Sequence, residues 1–570
     1  MVFNQKDISI VLSGEAGQGI QTAESLLLRL FKLSGLHVFS YSEFMSRIRG
    51  GNNSTEIRVS PERVNSFCGR IDVFVSLHEG AMERHYDRIS RNTVIIGDPA
   101  HIHDRFRDGD HTLVEFPLRE TARLVGGPIY ANIIIAGIFA ALFAMDISFV
   151  KEQLRRFFTK ATEEMLSKNI AAAEKGFSLG KDLFLARGIE FKLSRADQVK
   201  GELLLNGADA VGMGGLAGGC NFVSSYPMSP STEVLVFFAQ HGEEFGVVVE
   251  QAEDEICAIN MALGSWYAGG RAMVTTSGGG FALMVEALSL AGSHESPLVI
   301  HLGQRPGPAT GLPTRTEQGD LLFALFAGHG EFPRVIFAPG SFEEGFRLTQ
   351  RAFYIADKYQ VPVIVLTDQY FIDSNYNLPD IEVERGLERN HIVKTSADYL
   401  RYKLTGSGIS PRGIPGHGQG IVCALSDEHT EGGFITEDFS VRTSMVNKRW
   451  AKMAAMEHEI LPPRLYGPEN YRYLLIGWGS TLNVIREALA MCGRDDTAFL
   501  HFTQIYPLHK EAAPLVSKAG KKILIENNAT AQLGAVLKLY AGIDVDSKIL
   551  KYNGMPFMLE EIVEVINKLS

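Results

Sequence analysis

Cysteine is scarce in this chain of 570 residues: the five present, Cys68, Cys220, Cys257, Cys423 and Cys492, stand apart, and no two have redox or metal-ligand spacing. That argues against a disulfide framework and against a metal or iron–sulfur site held by this chain alone, and it fits a reducing cytoplasm. Long apolar runs are missing as well. The longest, residues 133–145, is too short to span a bilayer and contains Gly137, so it reads as a buried core helix and no membrane is expected as a partner. The opening MVFNQKDISIVLSG enters a strand without the charged and then apolar segments of a signal peptide. Basic excess is absent too: Lys+Arg 55 against Asp+Glu 66 leaves a net charge of −11, which speaks against a nucleic-acid surface spread over the molecule. Internal repeats and low-complexity tracts are also lacking.

What is present is glycine, 57 residues of it, in a chain that is 45% hydrophobic, the composition of a well-packed α/β enzyme with about three or four domains. Residues 8–13 read as a strand that enters GEAGQGI, with Gly14, Gly17 and Gly19, and then a helix that Gly35 ends. The order GxxGxG is not the dinucleotide fingerprint; the turn either cradles a phosphate on a helix N-terminus or is only a tight turn. Next, SRIRGGNNSTEIRVS sets Arg47, Arg49 and Arg58 around Gly50 and Gly51, suited to an acidic or phosphorylated ligand, a subunit contact or a solvated loop. The strands DVFVSL and TVIIGD, the apolar helix and a charged helix from 147 to about 186 complete this part, and 187–202 reads as a linker.

A second α/β series starts at residue 203. In YPMSPSTEVLVFFAQHG, Ser229 suits the N-cap, Pro230 the first helical position and Gly242 the end of the helix. The hydroxyls of Ser229, Ser231 and Thr232 then either face a ligand carboxylate or merely cap. The stretch 249–281, VEQAEDEICAINMALGSWYAGGRAMVTTSGGGF, follows Val247 and Val248 and reads as the end of a buried parallel strand, an acidic run, a helix, a strand and a Gly-rich turn. Glu255 falls where strand passes into helix, beside the crevice in which open α/β sheets bind ligands, although a solvated helix start has the same pattern. The strand PLVIHL leads into GQRPGPATGLPTRTEQGDL, whose Arg305 and Arg315 among threonines suit a substrate carboxylate or plain solvation. Roughly six strands with intervening helices make this region doubly wound. Residues 371–465 have weak periodicity; SDEHTEGG groups Asp427, Glu428, His429 and Glu431, but no second histidine stands at ligand spacing. From 466, strands and helices alternate to the end.

Four of these motifs carry a family resemblance. YPMSPST resembles the YPITPST segment of 2-oxoacid:ferredoxin oxidoreductases, GPATGLPTRTEQGDL is similar to their GPSTG-PT-R-Q-DL loop, and GEAGQGI with RIRGGNN resembles their γ domain. The resemblance implies a multidomain α/β chain, an α subunit with γ fused at its N-terminus: residues 1–190 the γ α/β domain, 203–372 a transketolase-like thiamine diphosphate pyrimidine-binding domain, 373–465 a linker region, and 466–570 a transketolase C-terminal-like domain. It implies a smaller β subunit carrying the diphosphate site, Mg²⁺ and a [4Fe-4S] cluster, an (αβ)₂ heterotetramer, ferredoxin as electron acceptor and coenzyme A as acyl acceptor. The absence of a GDG segment and of clustered cysteines agrees with that division.

By the same resemblance Glu255, with Ala258 and Gly264 following at fitting spacing, is the glutamate that hydrogen-bonds the cofactor's pyrimidine ring, with Glu253 as runner-up. Ser229, where the family has threonine, and Thr232 contact the 2-oxoacid, Arg315 grips its carboxylate and Arg305 assists. Tyr226, Pro227, Ser277, Gly278 and Gly279 approach the cofactor ring, and Gly17, Gly19 and Arg49 are candidates for a coenzyme A phosphate. The fused architecture and the basic and hydroxyl residues of the loop favour 2-oxoglutarate over pyruvate or a branched 2-oxoacid. A non-catalytic subunit that binds coenzyme A or a nucleotide is the alternative of another class.

Overall fold

The computed structural model describes residues 2–3, 6–15, 17–45, 51–107 and 111–569; Arg47, Arg49 and Gly50 lie outside the described residues. The chain divides into two compact units, Met1–Leu205 with Ser374–Asp380 and Met558–Ile562, and Asn206–Asp373 with Ile381–Phe557 and Val563–Ser570.

The first unit is built on a mixed eight-stranded sheet in the order Thr112–Glu115, Val94–Gly97, Val73–Ser76, Ile8–Glu15, Asn52–Ser60, His37–Glu43, Ser374–Leu378, Leu203–Asn206. The first four strands run parallel, and antiparallel pairing begins at Asn52–Ser60. The apolar run expected as a core helix is Ala131–Leu142, buried along its length. It lies against Glu163–Leu179, and the approach requires glycine. A methyl on Gly137 would strike the Ala173 carbonyl, and one on Gly176 the Ile134 carbonyl. The single charged helix expected from 147 to 186 is two helices, Ile147–Phe157 and Glu163–Leu179, because Thr162 breaks the run and caps the second, its hydroxyl accepting from Met165 N–H at 3.3 Å. Arg58 is not a ligand arginine: its Nε and Nη2 donate to Asp7 Oδ2 at 2.9 and 2.7 Å inside the fold. The segment read as a linker is structured too, with Glu190–Phe191 paired parallel to Val2–Phe3.

The second unit contains two sheets. The larger has the order Val248–Gln251, Phe222–Ser225, Ala272–Ser277, Leu298–Gln304, Pro362–Asp368, Val335–Phe337, Gln504–Tyr506; six strands are parallel, and Gln504–Tyr506 joins antiparallel. The smaller has five strands, ordered Arg464–Tyr466, Thr497–Phe502, Tyr473–Trp478, Lys521–Glu526, Ser547–Leu550. One expectation fails at the rim of the larger sheet. Val248–Gln251 is an edge strand with Val248 58% exposed, so it is not the buried strand its valines suggest. A second fails at the next turn: Pro230 follows a cis peptide, Ser231 occupies the N-cap, and the helix Thr232–Phe245 runs past Gly242 to end at left-handed Gly246.

Residues 381–438 are mostly irregular and are held by buried charges. Asp357 pairs with Arg271 and Arg412, and Glu428 receives Arg449 and Arg442. His429 stacks on Tyr402 with ring centroids 3.8 Å apart, and Glu431 accepts the Leu404 N–H at 2.7 Å, so the acidic run around His429 braces this segment. Glu295 anchors the helix Phe439–Ala455: Lys448 Nζ lies 2.5 Å from its Oε1 and Lys452 Nζ 2.6 Å from its Oε2, all three side chains 1% exposed. Burial alone would raise the Glu295 pKa, but Lys452 and Lys448 hold it down at about 2.

Glu295→Gln leaves two buried ammonium groups without a counter-charge, and a loss of about 3–5 kcal/mol is expected in thermal or urea unfolding. Because the folded carboxyl titrates well below an ordinary glutamate, its contribution is in place from about pH 5 and fades as pH falls toward 2. It also declines on the alkaline side as Lys452, whose pKa burial lowers to about 7, gives up its proton. The gap between wild type and variant therefore narrows on both sides.

Candidate functional site

The larger sheet of the second unit has its switch point at Phe222–Ser225. From that strand the chain crosses to Val248–Gln251 on one side and then to Ala272–Ser277 on the other, so the loops at their carboxyl ends diverge and leave a crevice. Three segments meet there: 226–231, 252–255 and 277–281.

Asp254 fixes the acidic run. Its carboxylate caps the helix Glu255–Tyr267 by accepting the Cys257 N–H at 2.7 Å. Glu255 is thereby placed at the first helical position, 3% exposed, whereas Glu250 and Glu253 are exposed. The Glu255 Oε1 is buried with no hydrogen-bond partner. Burial raises the Glu255 pKa above the ordinary carboxylate range; its backbone N–H opposes the shift and the Asp254 charge adds to it. Opposite stands the Gly-rich turn after Ala272–Ser277. A methyl on Gly280 would overlap both Glu255 Oε1 and Thr276 Oγ1, so only glycine lets the turn close on this carboxyl. Ser277 Oγ is likewise buried without a partner. Gly279 differs from its neighbours: a methyl there meets only the Ala309 carbonyl, at 3.9 Å.

On the other side of the crevice Ser225 Oγ donates to the Thr275 carbonyl at 2.6 Å, and Ser231 Oγ to the Met228 carbonyl at 2.7 Å, which shapes the turn 226–231. Tyr226 is exposed; Pro227, Ser229 and Thr232 are half-buried. Arg305, buried at the end of Leu298–Gln304, donates from Nη1 to the Ser229 carbonyl at 2.7 Å. Arg315 packs its Cβ and Cγ against Gly554 and donates to the Thr314 carbonyl at 3.2 Å, while Arg305 makes the bond to the serine turn.

Sequence reasoning missed the residues that hold these groups. Gln318 N–H donates to the Asn527 carbonyl at 2.7 Å, Asn527 N–H returns to Gln318 Oε1 at 2.9 Å, and Thr316 N–H reaches the Gly554 carbonyl at 3.1 Å. The long Gly/Pro/Thr loop is therefore held by the C-terminal segment. His301 bridges Thr275 Oγ1 at 2.7 Å and Thr367 Oγ1 at 2.8 Å, and burial drives its pKa down to about 3, so the ring is neutral. Asp320 was also missed: its Oδ2 is buried without a partner, and burial pushes its pKa up to about 6 against the pull of Arg305.

In the first unit, Gly17 and Gly19 both have positive φ, 88° and 72°, and Gly19 is the N-cap of Ile20–Leu33 without a side-chain cap. Asn132 donates to the Gln18 carbonyl at 2.5 Å, and the turn borders a cavity of about 380 Å³ also lined by Tyr130 and Met165. Arg49 lies outside the described residues.

Residues 213–448 match the family model for the thiamine diphosphate-binding part of pyruvate flavodoxin/ferredoxin oxidoreductases, and 9–179 match a pyruvate ferredoxin/flavodoxin oxidoreductase model. A 2-oxoacid:ferredoxin oxidoreductase subunit alpha from a Sulfolobus species is 32% identical over 98% of this chain and 96% of its own length. The 2-oxoglutarate oxidoreductase subunit KorA of Mycobacterium tuberculosis is 27% identical over 98% and 90%. A solved 2-oxoglutarate:ferredoxin oxidoreductase from Magnetococcus marinus, with 2-oxoglutarate, coenzyme A and succinyl-CoA bound, superposes with a TM-score of 0.91 at 30% identity, over 99% of this chain and 100% of that one.

The glycine geometry yields a paired test. Gly280→Ala forces Glu255 or Thr276 aside, an overpacking worth about 1–3 kcal/mol, read as a lowered melting temperature. Gly279→Ala, facing open space, leaves the melting temperature unchanged or slightly raised.

Proposed function

This chain belongs to the 2-oxoacid:ferredoxin oxidoreductase family, and we propose that it is the α subunit, with a fused N-terminal γ domain, of an enzyme that oxidatively decarboxylates 2-oxoglutarate with coenzyme A to succinyl-CoA and CO₂ and reduces ferredoxin. The observation that carries this reading is the buried, unpartnered Oε1 of Glu255 at the switch-point crevice, facing a glycine that admits no side chain. Such a carboxyl fits a ring nitrogen of the thiamine pyrimidine. The cofactor, when bound, supplies the nucleophilic carbon and takes up the electron pair released with CO₂.

The remaining steps belong to the chain's own residues. Glu255, with its raised pKa, keeps a proton on its carboxyl at higher pH than an ordinary glutamate and is suited to share it with the ring. Ser277, Gly278 and Gly279 offer backbone to the ring's edge, and Tyr226 and Pro227 border its mouth. Arg305 orients the substrate carboxylate through the guanidinium donors that Ser229 leaves open, and the hydroxyls of Ser229 and Thr232 complete that end. Arg315, the arginine that the motif match assigns to the same carboxylate, stands in the same loop and shares this role in the reading.

The same reading assigns 1–190 to the γ domain, with the Gly17–Gly19 helix N-terminus and Arg49 toward a phosphate of coenzyme A. It assigns 203–372 to pyrimidine binding, 373–465 to the linker region and 466–570 to the transketolase C-terminal-like domain. With five scattered cysteines and no GDG segment, this chain in the same reading leaves the [4Fe-4S] cluster and the Mg²⁺–diphosphate site to a β subunit in a cytoplasmic (αβ)₂ assembly. The 2-oxoglutarate choice is supported by the Magnetococcus neighbour and by the KorA relatives. Relatives of higher identity carry the broader name 2-oxoacid:ferredoxin oxidoreductase, which leaves pyruvate or a branched 2-oxoacid as the second reading.

Coenzyme A-dependent viologen reduction by the complex with its β subunit separates the two. The highest kcat/KM is expected with 2-oxoglutarate, and absence of turnover with it contradicts the choice. Glu255→Gln is expected to lower kcat by about a hundredfold or more while the subunits still co-purify; full activity in that variant would leave this chain the role of a non-catalytic binding subunit.

A further inference from the structure

Asp320 ends the loop that begins at Arg305. It stands at the N-cap of Leu321–Phe326 but does not cap: its side chain makes no bond to that helix, and its backbone N–H donates to Gln304 Oε1 at 3.0 Å. The carboxyl turns instead toward the glycine turn, where a methyl on Gly278 would overlap its oxygens. It therefore borders the turn assigned above to the cofactor ring and is bonded to Gln304, the neighbour of the arginine assigned to the substrate carboxylate. A buried carboxylate beside an arginine ordinarily closes a hydrogen-bonded ion pair. Among the described residues no ion pair within 4.0 Å joins Asp320 to Arg305, although each charge is felt by the other. The guanidinium instead directs one N–H to the Ser229 carbonyl.

We propose that Asp320 is a positioning residue for the 2-oxoacid: neutral, it leaves Arg305 to the substrate carboxylate; ionised, it draws on the same guanidinium and repels the incoming anion. This rests on the reading of Arg305 as the substrate arginine. The charged groups around Asp320 are few. Arg305 faces it from the end of Leu298–Gln304, Glu317 from its own loop, and Glu255 stands across the glycine turn; the turn 278–281 and the helix Leu321–Phe326 carry no charged side chain, and His301 is neutral. The position of the Asp320 pKa, about 6, sets the sign. Below it the carboxyl is neutral and 2-oxoacid binds well; above it binding an anion must restore the proton, so KM rises with pH and each binding event takes up a proton.

The test uses the complex with its β subunit. KM for 2-oxoglutarate is expected to rise by up to about fiftyfold between about pH 6 and pH 8, approaching tenfold per pH unit, with little change in kcat, and calorimetry in two buffers of different ionisation heat should show uptake approaching one proton near pH 7 to 8. Asp320→Asn should flatten the KM profile, abolish the uptake and keep kcat within about twofold, whereas Glu317→Gln should retain the wild-type slope. Wild-type binding without proton uptake, or an Asp320→Asn variant that keeps the slope, overturns the inference while the reading of the site stands. Loss of kcat at unchanged KM in Asp320→Asn also overturns it. Failure of the wild-type complex to bind any 2-oxoacid at any pH overturns the reading of the site and this inference with it.

Discussion

A carboxyl group taken out of water with one oxygen unbonded is costly unless it becomes neutral or receives a partner. Glu255 is in that position, and much of the second unit serves to keep it there. Asp254 spends its own charge on capping the helix and leaves Glu255 as the residue that faces inward. Thr276 and Gly280 close the other side, the glycine because nothing larger passes the carboxyl. The sheet topology makes the arrangement possible, since only where the chain order reverses do three loops diverge enough to leave room for a ligand against that oxygen.

The walls of the crevice are held from a distance in sequence. Residues 305–320 would be a long, mobile loop if they depended on their own contacts, yet Gln318 exchanges two hydrogen bonds with the backbone of Asn527, and Thr316 reaches Gly554. The C-terminal sheet thus acts on the site by stiffening the loop that carries Arg305 and Asp320. Within the sheet, neutral His301 ties Thr275 to Thr367, joining strands on either side of its own and holding the floor under the serine turn. The network adds polar groups to the interior without charge, which is why it persists under full burial.

The parts legible in the sequence were those set by local pattern: the alternation of strands and helices, the glycine turns, the helix start at Glu255, and the apolar core helix of the first unit. The parts that were not legible depend on partners far along the chain. The strand Ser374–Leu378, SNYNL, has no apolar alternation to mark it, because its polar side chains serve within the first unit: Asn377 Oδ1 accepts the Val38 N–H at 2.7 Å and Asn375 reaches Ser40 Oγ at 3.1 Å. Arg305 and Arg315 are indistinguishable as loop arginines, and only the fold sets one at the Ser229 carbonyl and the other beside Gly554. Asp320 falls in the DL of the loop motif, but the pattern does not mark its character, which comes from burial and from the turn it faces. Val248–Gln251 misled in the opposite sense: valines that look like a central strand lie at the sheet edge.

The central claim, that the unpartnered oxygen of Glu255 receives the thiamine pyrimidine, is tested most directly by a structure of this chain in complex with its β subunit and thiamine diphosphate. The account predicts a ring nitrogen within about 2.6–3.2 Å of a Glu255 carboxyl oxygen, with the ring's edge over the 277–280 turn. A ring held by Glu253, or bound away from the Phe222–Ser225 switch point, would contradict it.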